Sequence, residues 1–235
     1  MRLVILYDNV GQPPFREGWG FSVLITHGER KILFDTGADR LILAHNLQSL
    51  GLDLSDLTDL FLSHPHCDHM GGLSYVLERI KRVRIWAPEG MARYLRQRMK
   101  KVKAELNIIS EPTDLGDGLF STGTMGRTVR EQGLIVKTKE GGVLITGCAH
   151  PGVDFMAERA RNLIGSRLSL VLGGFHLEGV SKNRLKVLVS RLGPVTEALA
   201  PGHCTGREVT EFLCASFPNV VPLTVGKTFS WEENT

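Results

Sequence analysis

Apolar residues follow two different periods along the chain, and each period predicts one kind of element. Short apolar runs bounded by glycine or charged residues predict buried strands, whereas apolar residues spaced three and four positions apart predict helices. Residues 1–8 show the first pattern, and residues 41–50, followed by Gly51 as a helix-ending signal, show the second. The predicted strands are residues 1–8, 21–26, 31–34, 59–63, 83–87, 133–137, 143–146, 168–172, 195–199 and 221–224, and the predicted helices are residues 41–50, 73–80, 153–164, 187–192 and 208–215.

The alternation of strands with helices predicts an α/β protein. Two pairs of strands are expected to form hairpins, 21–26 with 31–34 and 133–137 with 143–146. We find no Ser- or Pro-rich linker, low-complexity tract or fixed-period repeat, so we predict a single domain over residues 1–235. The length and an apolar fraction of 42% exclude a disordered, collagen-like or disulfide-stapled chain.

The sequence favours a cytoplasmic protein with no membrane partner. The apolar run of residues 1–8 is too short for a signal peptide, and no stretch approaches the roughly 20 apolar residues that span a bilayer. The four cysteines contain no Cys-x-x-Cys pair, which excludes a zinc knuckle or a thioredoxin-type motif. They are Cys67, Cys148, Cys204 and Cys214. No feature of the sequence predicts an oligomeric state.

A loop after the predicted strand 59–63 concentrates metal ligands. Its sequence, SHPHCDH over residues 63–69, places three imidazoles and one carboxylate within six residues, and these groups suit zinc, iron and manganese. In an extended loop His64 and His66 point the same way, so Asp68 and His69 can face a second metal. We favour a metal site over the alternative of solvated loop histidines.

Three further histidines follow predicted strands in glycine-containing loops, where open α/β sheets build their sites. They are His150 in TGCAHPG, His176 in GGFHL and His203 in APGHCTG. The remaining two, His27 and His45, lie in a turn and on a helix and receive no functional assignment. Cysteines beside these loops raise the alternative of thiolate ligation, but we favour packing for Cys67, Cys148 and Cys204, because buried cysteine behaves as a small hydrophobe.

These motifs together resemble the metallo-β-lactamase superfamily. They are His-x-His-x-Asp-His after a strand, an earlier Asp35-Thr36-Gly37, a later Gly-x-x-His-Pro-Gly and a final histidine, and they span residues 35–203. The resemblance implies a four-layered αββα sandwich of two similar halves, with a dinuclear metal site in a groove along one edge. It also implies that Asp35 orients a ligand. The implied ligands are His64, His66 and His150 for the first metal and Asp68, His69 and His203 for the second.

One position departs from the family pattern. Superfamily hydrolases carry an aspartate that bridges both metals at the end of the strand that here reads LVLGGFHL over residues 170–177, but glycine stands there. The departure implies a weaker second site, a single metal, or participation of His176; the alternative is that His176 is only hydrogen-bonded locally. The motifs GGFHL, PGHCTG and Tyr7-Asp8-Asn9 are similar to a subgroup that includes the archaeal synthase joining a dihydropterin to a ribofuranosyl-aminobenzene phosphate in methanopterin assembly.

The leading functional prediction is a metal-dependent hydrolase of a small, anionic molecule. The predicted cofactor is a divalent metal, with one or two ions per chain; zinc is favoured over iron or manganese. Such a metal lowers the pKa of bound water to roughly 7 and supplies hydroxide. Asp68, which can bind metal and accept a proton, and His176 are the predicted catalytic residues. The alternative is a transferase that condenses a dihydropterin pyrophosphate with an aminobenzene ribofuranosyl phosphate, and Asp8, Asn9 and the glycine in place of the bridging acid favour it.

A basic segment, residues 79–103, polarises a chain whose total charge is only +3. It contains ten Lys and Arg residues and one acid, so its net charge is +9 and the rest of the chain sums to −6. It could be a binding surface for a phosphorylated substrate or for nucleic acid. The alternative, which we favour, is the solvated face of a helix. The helix would bury Met91, Tyr94, Leu95 and Met99. Trp86 and Tyr94 both suit the core, so a nuclease or nucleic-acid-binding protein is the third and least favoured function.

Overall fold

The apolar runs form strands and the helically spaced segments form helices in the computed structural model, which describes residues 1–100 and 102–232. The chain separates into two units, Met1–Ser110 with the C-terminal segment from Thr224, and Glu111–Leu223. Each unit has one mixed sheet with helices packed on it, so the predicted α/β class is confirmed.

The first unit combines antiparallel and parallel strands in one sheet. Its elements are β1 (Arg2–Tyr7), β2 (Ser22–His27), β3 (Arg30–Phe34), α1 (Arg40–Ser49), β4 (Asp59–Phe61), α2 (Cys67–Met70), α3 (Leu73–Leu77), β5 (Arg82–Pro88), α4 (Ala92–Arg98), β6 (Lys103–Ile109) and, numbered last in the chain, β13 (Thr228–Ser230). The sheet order is β13-β1-β2-β3-β4-β5-β6. Pairs from β13 to β3 are antiparallel and pairs from β3 to β6 are parallel. The loops after β3 and β4 therefore begin at the same edge of the sheet.

A buried carboxylate joins the opposite ends of these parallel strands. Asp59, the first residue of β4, accepts two hydrogen bonds from Arg30 on β3, at 2.8 and 2.7 Å, and one from the Trp86 indole on β5 at 2.8 Å. Arg84 Nη2 and the Thr58 hydroxyl also donate to it, at 3.0 and 2.6 Å. Burial raises the pKa of Asp59, but the hydrogen bonds from Arg30, Thr58 and Trp86 outweigh it, so the net pKa lies below the ordinary value.

The second unit repeats the order of hairpin, helix and parallel strand. Its elements are β7 (Thr113–Gly116), β8 (Leu119–Ser121), β9 (Leu134–Thr138), β10 (Gly141–Thr146), α5 (Val153–Ile164), β11 (Leu168–Gly174), α6 (Lys182–Leu192), β12 (Leu199–Gly202), a 3-10 turn (His203–Thr205) and α7 (Arg207–Ser216). The sheet order is β12-β11-β10-β9-β8-β7, parallel from β12 to β10 and antiparallel beyond. The predicted β9–β10 hairpin is confirmed, and the carboxyl ends of β10, β11 and β12 lie at one edge.

Two short predicted strands are wrong. Residues 193–195 form the turn after α6 and Thr196 makes only an isolated bridge with Leu168, so the regular strand that pairs with Val171–Gly174 of β11 is Leu199–Gly202 rather than residues 195–199. Residues 221–224 run beside β12 and donate to it, from Val221 to Leu199 O and from Leu223 to Pro201 O, but Pro201 has no N–H with which to continue the pairing, so no regular strand forms there. Short apolar runs indicate burial without showing which residues align with a neighbouring strand.

The predicted helix of the basic segment is α4, and its apolar face is buried at Met91, Leu95 and Met99. Tyr94 does not join the core as predicted; it is 40% exposed, and the Arg98 guanidinium lies 4.2 Å from its ring centroid. Lys101 of this segment lies outside the described residues. Within residues 1–100 and 102–232, no helix has both the length and the hydrophobicity needed to span a lipid bilayer.

The carboxylate of Asp59 is expected to stabilise the first unit strongly. Asp59→Asn removes a buried negative charge and leaves two arginines without it, so we expect the free energy of unfolding to fall by about 3–5 kcal/mol. Because the folded pKa is lowered, this contribution is present above the ordinary value of 3.8 and is lost as the pH falls through the folded pKa. Denaturant unfolding between neutral pH and pH values below 3.8 measures it.

The control is Asp56→Asn, which removes an exposed carboxylate that bonds Lys31. A surface pair contributes at most about 1 kcal/mol, so this variant should unfold like the wild type. Equal destabilisation by both substitutions at neutral pH would contradict the role given to Asp59.

Candidate metal centre

The loop after β3 is fastened to the histidine loop after β4. The N–H and the hydroxyl of Thr36 both donate to the carbonyl oxygen of His69, at 2.8 and 3.0 Å. Gly71 permits the close approach, because a Cβ at that position would overlap the carbonyl of Ala38. The Asp-Thr-Gly motif and the glycines after the histidine motif thus act together: they bring the backbone of residues 35–38 against residues 69–72.

Asp35 organises two of the predicted ligands. Its buried carboxylate accepts the Nδ1–H of His69 at 2.7 Å, and the N–H and hydroxyl of Ser63 at 2.8 and 2.6 Å. Because the Ser63 hydroxyl proton is directed at Asp35, its oxygen accepts the Nδ1–H of His64 at 2.9 Å. Both imidazoles therefore carry their proton on Nδ1, and Nε2 is the atom available to a metal.

The structure brings together the four predicted ligands of the first unit. Ligand nitrogens of His64 and His66 lie within 4.8 Å of each other, as do ligand atoms of Asp68 and His69. The ring centroid of His64 is 4.6 Å from that of His66 and 4.2 Å from that of His69. His64 and His69 are buried, Asp68 is half-buried and His66 is exposed, so one side of the cluster is buried and the other is open to solvent.

Trp19 belongs to this cluster and carries no sequence signal that could have found it. Its indole N–H donates to Asp68 Oδ2 at 3.1 Å, although the side chain is 55% exposed. Asn9 fastens the same loop by accepting the N–H of Gly20 at 3.1 Å, and Asp8 is buried beside it. The Tyr7-Asp8-Asn9 motif therefore supports the loop that carries Trp19.

In the second unit Glu131 accepts the Nδ1–H of His150, as Asp35 accepts that of His69 in the first unit. Its fully buried carboxylate accepts the N–H groups of Gly147, Cys148 and Ala149 on Oε1, at 3.1, 2.9 and 2.8 Å. Oε2 accepts both the backbone N–H of His150, at 2.9 Å, and its Nδ1–H, at 2.8 Å. Sequence reasoning missed Glu131, because it stands in a loop before β9 with no motif around it.

The other predicted residues of the second unit gather around Cys148. Its Sγ lies within 4.8 Å of ligand nitrogens of His150 and His176, and also of His203. The rings of His150 and His176 have centroids 4.6 Å apart, which places the exposed His176 beside a predicted ligand. Cys148 and Cys204 are buried, and Cys204 Sγ donates to the Cys148 carbonyl at 3.7 Å, whereas Cys67 is exposed.

The backbone is closed where the family's bridging aspartate would stand. A Cβ at Gly173 would overlap the carbonyl of Thr146, and one at Gly174 would overlap the carbonyl of Gly147. Gly174 N–H also donates to that carbonyl of Gly147 at 3.0 Å. The ends of β10 and β11 are therefore too close together for any side chain at either glycine.

Strained backbone marks the same strand ends. Asp35, Ala149, His176 and His203 have φ of 51°, 57°, 50° and 44°. Left-handed conformations cost non-glycine residues about 1–3 kcal/mol each and persist where function or packing demands them. Each of these residues follows β3, β10, β11 or β12, so the strain lies at the carboxyl ends of parallel strands in both units.

The donor set fits a divalent metal. His69 and His150 each donate Nδ1–H to a buried carboxylate, and this outer hydrogen bond is the usual partner of a metal-bound imidazole. Neutral imidazoles with one carboxylate are ligands suited to zinc, iron or manganese. Within each unit, the chemistry of these residues agrees with a metal centre.

The chain is similar to several known proteins. The sequence model of the metallo-beta-lactamase superfamily matches residues 17–203, which contain every motif of the superfamily resemblance. An uncharacterized protein of Methanocaldococcus jannaschii is 31% identical over 86% of this chain and 90% of its own. The 7,8-dihydropterin-6-methyl-4-(beta-D-ribofuranosyl)-aminobenzene-5'-phosphate synthase of the same organism is 26% identical over 87% and 86%. A crystal structure of a metal-dependent hydrolase of the beta-lactamase superfamily is 27% identical, with a TM-score of 0.84 over 99% of this chain and 100% of the other.

Glu131→Gln should loosen the loop of residues 147–150. The substitution replaces one carboxylate oxygen by an NH2 group, which would face the N–H groups of the loop and cannot accept a hydrogen bond from them. We therefore expect the free energy of unfolding to fall by about 2–4 kcal/mol. Hydrogen exchange of the amides from Gly147 to His150 should become faster. Glu140→Gln, in the exposed β9–β10 turn, is the matched control and should change neither quantity. Unchanged exchange in Glu131→Gln would show that the loop does not depend on this carboxylate.

Proposed function

Because the chain belongs to the metallo-β-lactamase superfamily, we propose that it is a metal-dependent hydrolase that acts on a small, anionic molecule. The observation that carries the proposal is the pair of hydrogen bonds from Nδ1 of His69 and His150 to buried carboxylates, which leaves Nε2 of each ring for a metal. The family match runs across both units, and this supports treating residues 1–235 as one domain.

The proposed ligands follow the family pattern. The assignment rests on the motifs. The two half-sites support it separately, since ligand atoms of His64 and His66, and of Asp68 and His69, lie within 4.8 Å of each other. Cys148 stays outside the ligand set, because its burial fits packing. The first metal is assigned to His64, His66 and His150, and the second to Asp68, His69 and His203.

These residues would hold a divalent metal, zinc in first place and iron or manganese as alternatives, and such an ion would activate water as a nucleophile at neutral pH. The protein residues then have distinct roles. Asp35 and Glu131 hold the imidazoles in one orientation and one tautomer. Asp68 accepts a proton, and the Trp19 indole fixes the position of Asp68 Oδ2. His176, exposed beside His150, is proposed to contact the substrate or a metal.

The second candidate function is a transferase of the pterin-condensing kind. The M. jannaschii synthase, 26% identical to this chain, supports it, as does the loop that Asp8 and Asn9 hold beside Asp68. Incubation with a dihydropterin pyrophosphate and an aminobenzene ribofuranosyl phosphate separates the two functions, because only the transferase forms the condensed product, with a release of pyrophosphate that depends on the aminobenzene acceptor. The nuclease alternative has less support, since the apolar face of α4 is buried and its basic residues fill the rest.

We also propose a cytoplasmic location. It is supported by the four cysteines, which are all free thiols, because a reducing compartment keeps cysteines in this form.

Removal of metal should abolish the activity. We expect hydrolysis of p-nitrophenyl phosphate, bis(p-nitrophenyl) phosphate or p-nitrophenyl acetate to be lost on chelation and restored by Zn²⁺. Asp68→Asn, which keeps every imidazole but loses both a proposed metal ligand and the proton acceptor, should lower kcat by about 10²-fold or more. Asp56→Asn, an exposed carboxylate in the same unit, is the control. Activity that persists after metal loss has been verified by elemental analysis would refute the proposal.

His176→Ala tests whether this histidine belongs to the centre. We expect metal content or turnover to fall at least about tenfold relative to His45→Ala, a histidine on α1 that contacts Pro14 instead. Elemental analysis and steady-state kinetics on the same preparations measure both. Full metal occupancy with unchanged turnover would remove His176 from the site.

A further inference from the structure

A cavity of about 620 Å³ opens in the second unit beside His150 and His176. Its walls are the first turn of α5, the loop of residues 175–180 after β11, and one face of α6. Cavities of several hundred Å³ next to reactive groups hold small organic ligands. Because His150 and His176 line it, the cavity is continuous with the proposed reaction site.

One wall of the cavity is apolar although it faces water. Phe155 is 50% exposed and Val187 is 60% exposed, and both line the cavity. Gly152 leaves room for the aromatic ring, since a Cβ there would lie 2.8 Å from Phe155 Cδ2. Exposed apolar side chains that face one concave surface favour an apolar partner. This wall therefore suits the ring of a ligand.

Two arginines line the cavity, and within the described part of the chain only one of them is paired with acidic side chains. Arg191 is neutralised by Asp154 at 2.6 Å and by Glu158 at 3.3 Å, and its guanidinium lies 4.3 Å from the Phe155 ring. Arg184, one turn before Val187 on the same face of α6, makes no ion pair with any residue that the structure describes. An arginine beside an apolar wall recognises a single anionic group, and phosphate oxygens match its planar fork.

We propose that this cavity binds the body of the substrate, an aromatic molecule with one phosphate-type group. The ring packs against Phe155 and Val187, and the anion pairs with Arg184. The proposal rests on the proposed function, because it takes His150 and His176 as the reacting end of the same site. It narrows the substrate class from small anions to aromatic phosphates.

The test compares three ligands that are not hydrolysed. Calorimetry on the metal-loaded protein measures phenylphosphonate, which has ring and anion, methylphosphonate, which lacks the ring, and benzyl alcohol, which lacks the anion. Phenylphosphonate should bind at least about tenfold more tightly than either. Arg184→Gln should weaken phenylphosphonate about tenfold and leave benzyl alcohol unchanged, while Phe155→Ala should weaken phenylphosphonate and leave methylphosphonate unchanged.

Matched controls lie on the same two helices. Lys186→Gln removes another exposed cation of α6, and Leu163→Ala removes another exposed apolar side chain of α5; neither residue lines the cavity. Equal affinities for phenylphosphonate and methylphosphonate, or equal losses in Arg184→Gln and Lys186→Gln, would overturn the proposal. Metal content and chelator-sensitive turnover, measured on the same preparations, report separately on the proposed function. Binding with the expected pattern but no metal-dependent turnover would overturn that function alone.

Discussion

The hydrogen bond from an imidazole Nδ1 to a buried carboxylate is the interaction on which the candidate centre depends. The structure shows it in both units, from His69 to Asp35 and from His150 to Glu131. An ionised carboxylate can only accept, so the bond determines the tautomer of each ring as well as its direction. A buried charge is stable only when it is fully hydrogen-bonded, and both loops satisfy it with backbone or hydroxyl donors. Ring orientation and loop conformation therefore depend on one another.

The two units reach this arrangement from different places in the sequence. Asp35 follows β3 directly and collects Ser63 and His69 from the neighbouring strand end. Glu131 precedes the β9–β10 hairpin and accepts four consecutive N–H groups from the loop after β10. The order of elements is similar in both units, but the carboxylate is not at an equivalent position. A common topology thus constrains where ligands stand more strictly than where their supporting residues come from.

The parts predicted correctly from the sequence were those with a local signal. The superfamily and its α/β fold are confirmed, because His64 to His69 and the Asp-Thr-Gly motif are contiguous patterns. Glu131 and Trp19 were missed, since their partners are distant in sequence and become visible only through hydrogen bonds. Strand β6 was missed for a different reason: six of its seven residues are exposed or half-buried, and its apolar residues form no long run. The assignment of metal ligands, by contrast, stays a prediction.

The two glycines at the end of β11 make the absence of a bridging carboxylate difficult to reverse. At Gly173 and Gly174 the carbonyls of the adjacent strand end occupy the volume that a side chain would need. An aspartate introduced at either position by a single substitution would have to push β10 and β11 apart, which would disturb the loop that carries His150. Accommodating a carboxylate at either position requires concerted changes in two loops. This end of the second unit can therefore vary in the side chains around the two glycines more readily than at the glycines themselves.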